Sequence, residues 1–133
     1  MADGVTAFRE TRDWARRPST SLIWWGLPTA LGLASNLFGL SQRGDAAVWA
    51  VALAWAGLGC VLNASRCHRL HCYISGPALL LGSSGAGLIA SGVLDFGQQS
   101  LNAVIGGALV ITLLSFAPEL AWGRYANGRG AAG

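Results

Sequence analysis

The chain has 133 residues, enough for one ordinary domain, but only 11% of them are charged, against about 25% in soluble proteins. A soluble protein of this size exposes most of its residues, and six acids with nine arginines cannot cover that surface. The composition disfavours a soluble enzyme, a secreted disulfide scaffold and a disordered tail, and it favours a chain surrounded by lipid.

Four uncharged windows are long enough to cross a membrane. They contain 25, 20, 25 and 23 residues between successive charged positions, and a bilayer core about 30 Å thick needs roughly 20 helical residues. The windows predict transmembrane helices near 21–41, 46–65, 75–94 and 100–118. Because the connections are short, we expect an all-α integral membrane domain over 21–118, a four-helix bundle with up-down-up-down topology.

The arginines predict the orientation of this bundle. In a four-span topology, eight of the nine lie on one side: Arg9, Arg12, Arg16, Arg17, Arg66, Arg69, Arg124 and Arg129. Positive residues stay cytoplasmic during insertion. We therefore expect both termini, the basic segment 1–20 and the tail 119–133, on the cytoplasmic side of a bacterial inner membrane. The net charge of +3 suits anionic lipid headgroups and needs no nucleic-acid partner.

Small residues form two rows along the third predicted span, which we expect to begin near Ser75 with Pro77 in its first turn. The rows are Ser83, Gly87, Ser91 and Gly82, Ala86, Ala90. Such rows let helix backbones approach closely inside a membrane. Packing within the bundle is the preferred interpretation. Homo-oligomer formation, or docking into a larger membrane complex through the Ser83, Gly87, Ser91 face, is the alternative.

All the cysteines and histidines of the chain occur within thirteen residues. The predicted cytoplasmic loop 66–73 holds Cys67, His68, His71 and Cys72, and Cys60 lies shortly before it. Thiolates and imidazoles bind soft and borderline metal ions. This clustering makes all five residues candidate metal ligands.

The spacing of these ligands favours an ion with few ligands. If the second helix continues past the membrane, Cys60, Cys67 and His71 lie within about 40° of each other on one face. His68 and Cys72 then form a second pair four residues apart. Two thiolates suffice for Cu(I) or Hg(II), whereas a closed zinc site needs further ligands from a turn, a second subunit or another protein.

The surroundings of the cluster support a thiolate, and simpler interpretations remain open. Arg66 and Arg69 flank the thiols and are expected to raise their thiolate fraction, in a compartment that keeps thiols reduced. The histidines could equally be polar interface residues and the cysteines apolar fillers. A redox-sensing Cys67–Cys72 pair and a haem bound by His68 or His71 are further alternatives.

The architecture together with the segment from Cys67 to Cys72 resembles the small inner-membrane proteins of bacterial mercury resistance. The resemblance implies uptake of mercuric ion through cysteine pairs and its transfer to a cytoplasmic reductase. Cys67 and Cys72 would match the cytoplasmic pair of those families, and Cys60 a thiol at membrane level. Those families carry paired cysteines in the first span, whereas residues 21–41 of this chain contain none.

The sequence thus predicts a protein that binds or relays a thiophilic metal ion, Hg, Cu or Zn, by ligand exchange. We expect no enzyme, because the chain has no Ser-His-Asp arrangement, no paired carboxylates and no phosphate-binding glycine loop. The alternative is a non-catalytic structural or accessory subunit of a larger membrane complex, in which the Cys/His loop has no independent role.

Overall fold

The protein is described by a computed structural model covering residues 2–95, 97–123 and 125. Within these residues the chain is helical and contains no strand. The helices are α1 (Ala2–Arg12), α2 (Pro18–Ser21), α3 (Leu27–Ser35), α4 (Gln42–Cys67), α5 (Leu70–Ala90), α6 (Gln98–Leu114) and α7 (Ala117–Trp122). Arg124 and Arg129, two of the arginines used to predict orientation, lie outside the described residues.

Three helical segments of the described chain are long and apolar enough to cross a membrane. They are Gln42–Cys67, Leu70–Ala90 and Gln98–Trp122, the last combining α6 and α7. They overlap the second, third and fourth predicted spans, which confirms an all-helical chain with the character of a membrane protein. A π-helical turn at Leu22–Gly26 and a 3₁₀ turn at Asn36–Phe38 flank α3, so shorter helical pieces occupy the first predicted span. The four-span topology stays a prediction.

Glycines allow α4, α5 and α6 to approach closely. A Cβ atom on Gly76 of α5 would lie 2.9 Å from Val61 Cγ2 of α4, and one on Gly82 would lie 2.8 Å from Ala108 Cβ of α6. The buried apolar side chains of the three helices form one core: Ala46, Trp49, Leu53, Ala56, Cys60, Ala64, Cys72, Leu79, Ala86, Ile89, Leu101, Ile105 and Ala108. The Gly82 row therefore packs within the chain, as close helix contact in a membrane requires.

The second row of small residues is used only in part. Ser83 Oγ donates a hydrogen bond of 2.7 Å to the Ala50 carbonyl of α4. A Cβ on Gly87 would meet no atom within 4 Å, and Ser91 is exposed, with its hydroxyl donating to Leu88 O at 3.0 Å. Gly87 and Ser91 thus lie on an open side of α5.

The turn between α4 and α5 corrects two expectations. The second helix does not continue through the Cys/His cluster: α4 ends at Cys67, and His68 takes the left-handed conformation with φ 56° while its N–H bonds Ala64 O at 2.8 Å. The third helix begins at Leu70 rather than near Ser75, so Pro77 lies inside it. Because a left-handed residue reverses the chain, Cys67 and His71 fall on two antiparallel helices.

Candidate thiol site

Cys60 of α4 and Cys72 of α5 lie side by side, because the turn folds α5 back along α4. Ser75 of α5 lies with its Oγ 3.4 Å from Cys60 Sγ, and Asn63 of α4 lies with its Nδ2 3.7 Å from Cys72 Sγ, so both thiols lie in the same contact between the two helices. The two cysteines are 2% and 0% exposed. All three cysteines of the chain are free thiols. The structure therefore pairs Cys72 with Cys60, rather than with Cys67 as the spacing in the loop suggested.

Hydrogen-bond donors surround the sulfur of Cys60. The Trp25 indole N–H donates to Cys60 Sγ at 3.1 Å, and Ser75 Oγ lies 3.4 Å from the same sulfur. The Ser75 hydroxyl also lies 2.8 Å from His71 O, and its single proton serves one acceptor at a time. If Cys60 becomes negatively charged, rotation of this hydroxyl adds a second donor to the sulfur.

His71 connects the thiol pair to Glu119. Nδ1 of His71 lies 2.6 Å from Glu119 Oε1, and Nε2 lies 3.4 Å from Cys72 Sγ. The His71 backbone N–H also donates to Glu119 Oε1 at 3.2 Å, and the imidazole stacks on Phe116 with centroids 4.2 Å apart. A carboxylate at Nδ1 selects the tautomer with Nδ1 protonated, which leaves the lone pair of Nε2 directed toward the thiol.

Asp13 joins the N-terminal segment to this site. Its carboxylate is 0% exposed and accepts hydrogen bonds from the side chain of Asn63 (2.9 Å), the backbone N–H of Ala15 (3.0 Å) and the guanidinium of Arg69 (2.7 Å). The Tyr125 hydroxyl donates to the same carboxylate at 3.5 Å. A buried carboxylate needs such a full set of donors. These contacts therefore hold the N-terminal segment against α4 and α5.

Arg69 lies between two carboxylates. Its guanidinium contacts Asp13 Oδ2 at 2.7 Å and Glu119 Oε1 at 3.2 Å, with 13% of the side chain exposed. Burial lowers the pKa of Arg69, but Asp13 and Glu119 outweigh burial, and its pKa is raised overall. Arg66 is directed elsewhere, over the ring of Trp14 at 4.8 Å. The positive charge of Arg69 is therefore neutralised by Asp13 and Glu119. The sequence had suggested that this charge would act on the neighbouring thiols.

Cys67 and His68 make contacts of other kinds. Cys67 is fully buried, and its thiol donates to the Asn63 carbonyl at 3.1 Å. His68 Nδ1 lies 2.6 Å from the Tyr73 hydroxyl. These contacts account for the positions of both side chains without a bound ion. Of the five predicted ligands, Cys60, His71 and Cys72 are brought together, and the other two have separate partners.

A cavity of about 330 Å³ opens beside the thiol pair. Its lining combines a thiol, a guanidinium, an imidazole, hydroxyls and aromatic rings: Ala15, Ser21, Trp25, Cys60, Arg69, His71, Ser75, Thr112 and Phe116. This is the low end of the size range of small-molecule sites. The cavity gives a small ligand or an ion a route to Cys60.

Asp13, Glu119 and Trp25 belong to the site, although their sequence positions did not predict it. Asp13 stands in a basic segment and entered no prediction, and Glu119 only marked the end of the last uncharged window. The signal that could have identified Asp13 and Glu119 is their negative charge among the arginines. An acidic residue that is buried in a protein is normally paired with a positive one nearby. Which arginine it pairs with depends on the tertiary structure.

Two further findings concern the site. Among the described residues, no group of three or more His, Cys, Asp or Glu side chains is arranged to hold a metal ion. Comparison of the chain with protein-family models, with curated proteins and with solved structures gives no match.

Proposed function

We propose that this protein binds a thiophilic metal ion between Cys60 and Cys72 and relays it by ligand exchange. The observation that carries the proposal is that two buried thiols lie in the same contact between α4 and α5, one beside Ser75 and the other beside Asn63. Two thiolates are the ligand set that Cu(I) or Hg(II) needs in two-coordinate form, and soft sulfur ligands favour such ions. Zinc needs more ligands and fits this pair less well.

The surroundings of the pair support passage of an ion. The cavity of about 330 Å³ borders Cys60, which gives the ion access to the first sulfur. His71 Nε2 lies 3.4 Å from Cys72 Sγ and, with its Nδ1 bonded to Glu119, has a lone pair available. An ion leaving the thiol pair can therefore bind His71 Nε2 next. Because the new bond forms before the old one is lost, the ion is never without ligands in the apolar interior.

Titration of the full-length protein in detergent with Cu(I) or Hg(II) tests this proposal. Replacing a residue that only supports a metal ligand typically lowers metal affinity by about 10–100-fold. Because Cys60 and Cys72 would bind the ion directly, Cys60→Ser and Cys72→Ser should each lower the affinity by about 100-fold or more. Cys67→Ser is the matched control, because this thiol is equally buried but donates to Asn63 O, and it should bind like wild type. Unchanged stoichiometry and affinity in both test variants would contradict the proposal and favour the accessory-subunit alternative.

We also propose that the chain crosses a bacterial inner membrane four times, with the thiol pair near the cytoplasmic end. In a cysteine-free background, Ser65→Cys and Gln98→Cys place thiols at exposed positions on opposite predicted sides. A membrane-impermeant maleimide should label the Gln98 variant in intact cells and the Ser65 variant only after permeabilisation. The reverse labelling would overturn the orientation.

A further inference from the structure

Cys60 borders the cavity and lies beside a second thiol. It is part of the lining of the space of about 330 Å³, and across the same contact between α4 and α5 lies Cys72, which is 0% exposed. One thiol is thus presented to a small molecule, and a second is held directly beside it. In thiol–disulfide chemistry these are the positions of an attacking and a resolving cysteine.

The contacts of Cys60 suit the attacking role. Trp25 Nε1 donates to its sulfur at 3.1 Å, and the Ser75 hydroxyl lies 3.4 Å away and can turn toward it. Donors aimed at a sulfur stabilise its thiolate, which is the nucleophilic form. Cys72 has one side-chain donor, Asn63 Nδ2 at 3.7 Å, which is a longer contact than either of these. Its sulfur also lies 3.4 Å from Nε2 of His71, which can accept the Cys72 proton in the second, resolving step.

We propose that Cys60 and Cys72 reduce a small aromatic disulfide that enters this cavity. The rings of Trp25 and Phe116 form part of the lining and favour an aromatic occupant through stacking. The volume lies at the low end of small-molecule sites. The activity goes beyond ion binding: it uses the same two sulfurs but requires no bound ion.

The reaction balances without a further oxidant. The Cys60 thiolate attacks one sulfur of RS–SR, the disulfide bond of the substrate breaks, and RS⁻ leaves and takes up the proton that Cys60 released. Cys72 then attacks Cys60 Sγ in the mixed disulfide, and the second RS⁻ leaves with the proton from Cys72. Two electrons pass from the pair to the substrate, giving two RSH and a Cys60–Cys72 disulfide. A small thiol reductant restores the pair by the reverse exchange.

The test uses metal-free full-length protein in detergent, carrying Cys67→Ser so that only the proposed pair reacts. The probe is 4,4′-dithiodipyridine, a neutral aromatic disulfide whose released thiopyridone absorbs light. The Cys67→Ser protein should release two thiopyridones per chain and lose the mass of two hydrogens. With Cys72→Ser added, it should release one and keep a mixed disulfide on Cys60. With Cys60→Ser added, the reaction should slow by at least about tenfold, because the nucleophile that lines the cavity is gone.

Two results would overturn the proposal. One is two separate thiopyridine adducts on Cys60 and Cys72 with no disulfide between them. The other is equal reaction rates for the Cys60→Ser and Cys72→Ser proteins. Ion titration of the same Cys67→Ser protein separates this outcome from the proposed function: tight ion binding without internal disulfide formation contradicts the exchange activity alone, and disulfide formation without ion binding contradicts the metal proposal alone.

Discussion

Glu119 Oε1 accepts hydrogen bonds from both the ring and the backbone of His71, at 2.6 and 3.2 Å. The carboxylate belongs to α7 and the histidine to the first turn of α5, 48 residues earlier in the chain. This double contact fixes the imidazole on the Phe116 ring, with Nε2 beside Cys72. The end of the last segment that is long and apolar enough to cross a membrane therefore sets the orientation of the only histidine at the thiol pair among the described residues.

Replacing Glu119 tests this orientation. In wild type we expect ¹⁵N NMR to show the His71 ring with Nδ1 protonated and Nε2 unprotonated, since the carboxylate accepts the Nδ1 proton. Glu119→Gln should mix the two tautomers, because the amide can either accept from or donate to Nδ1. The free energy of unfolding should fall by about 1–3 kcal/mol, because the hydrogen bonds to His71 are weakened. An unchanged ¹⁵N spectrum in the variant would contradict this role.

Asp13 should dominate the stability of the end of the bundle at which α4 turns into α5. Asp13→Asn removes a fully buried carboxylate that contacts Arg69, Asn63 and the backbone of Ala15. We expect a loss of about 3–5 kcal/mol, as for other broken buried ion pairs, measured by thermal or denaturant unfolding in detergent.

The Glu10–Arg16 pair provides the control for Asp13. Its ends are 2.6 Å apart, but its side chains are 39% and 43% exposed. Glu10→Gln should change stability by no more than about 1 kcal/mol. Equal losses for Asp13→Asn and Glu10→Gln would show that the buried network does not hold the N-terminal segment.

Two glycines of α5 should respond differently to alanine. A Cβ on Gly82 would meet Ala108 Cβ at 2.8 Å, whereas one on Gly87 meets nothing within 4 Å. Gly82→Ala should destabilise the protein by about 1–3 kcal/mol through overpacking. Gly87→Ala should stabilise it by about 0.5–1 kcal/mol through higher helix propensity. The comparison uses thermal unfolding in the same detergent. A loss of oligomer, or of stability, in Gly87→Ala would instead indicate that another chain covers the Ser83, Gly87, Ser91 face.

His68 should behave as a turn residue rather than as a metal ligand. It holds φ at 56°, a conformation that costs a non-glycine residue roughly 1 kcal/mol. His68→Gly removes this strain and also the contact with Tyr73, so stability should stay within about 1 kcal/mol of wild type. Ion affinity should be unchanged.

His68→Ala separates the two effects, because it removes the same imidazole but keeps the strain. It should be less stable than His68→Gly by about 1 kcal/mol, with the same ion affinity. A marked drop in affinity shared by both variants would restore His68 as a ligand.

The sequence places every thiol and imidazole in the Cys60–Cys72 stretch, but the structure brings residues of that stretch together differently from the single helix assumed there. The prediction assumed one helix through the cluster, on which Cys67 and His71 would share a face. No composition or periodicity signal marked His68 as the point of reversal, because only a few per cent of non-glycine residues adopt positive φ and the enrichment of histidine among them is too weak to identify one residue. Once the chain reverses there, Cys72 moves back along α4 to Cys60, and Cys67 remains in the turn.

The sequence by itself determined that this chain is helical and of membrane character, since long uncharged apolar windows have few other stable conformations. It also determined that every thiol and imidazole lies in one short stretch. Only the tertiary structure decided that Asp13 and Glu119 reach Arg69 and His71, and that Cys60 lies beside Cys72. These contacts join residues on different helices, and their geometry depends on how the helices pack and on where the turn reverses, which local spacing does not encode.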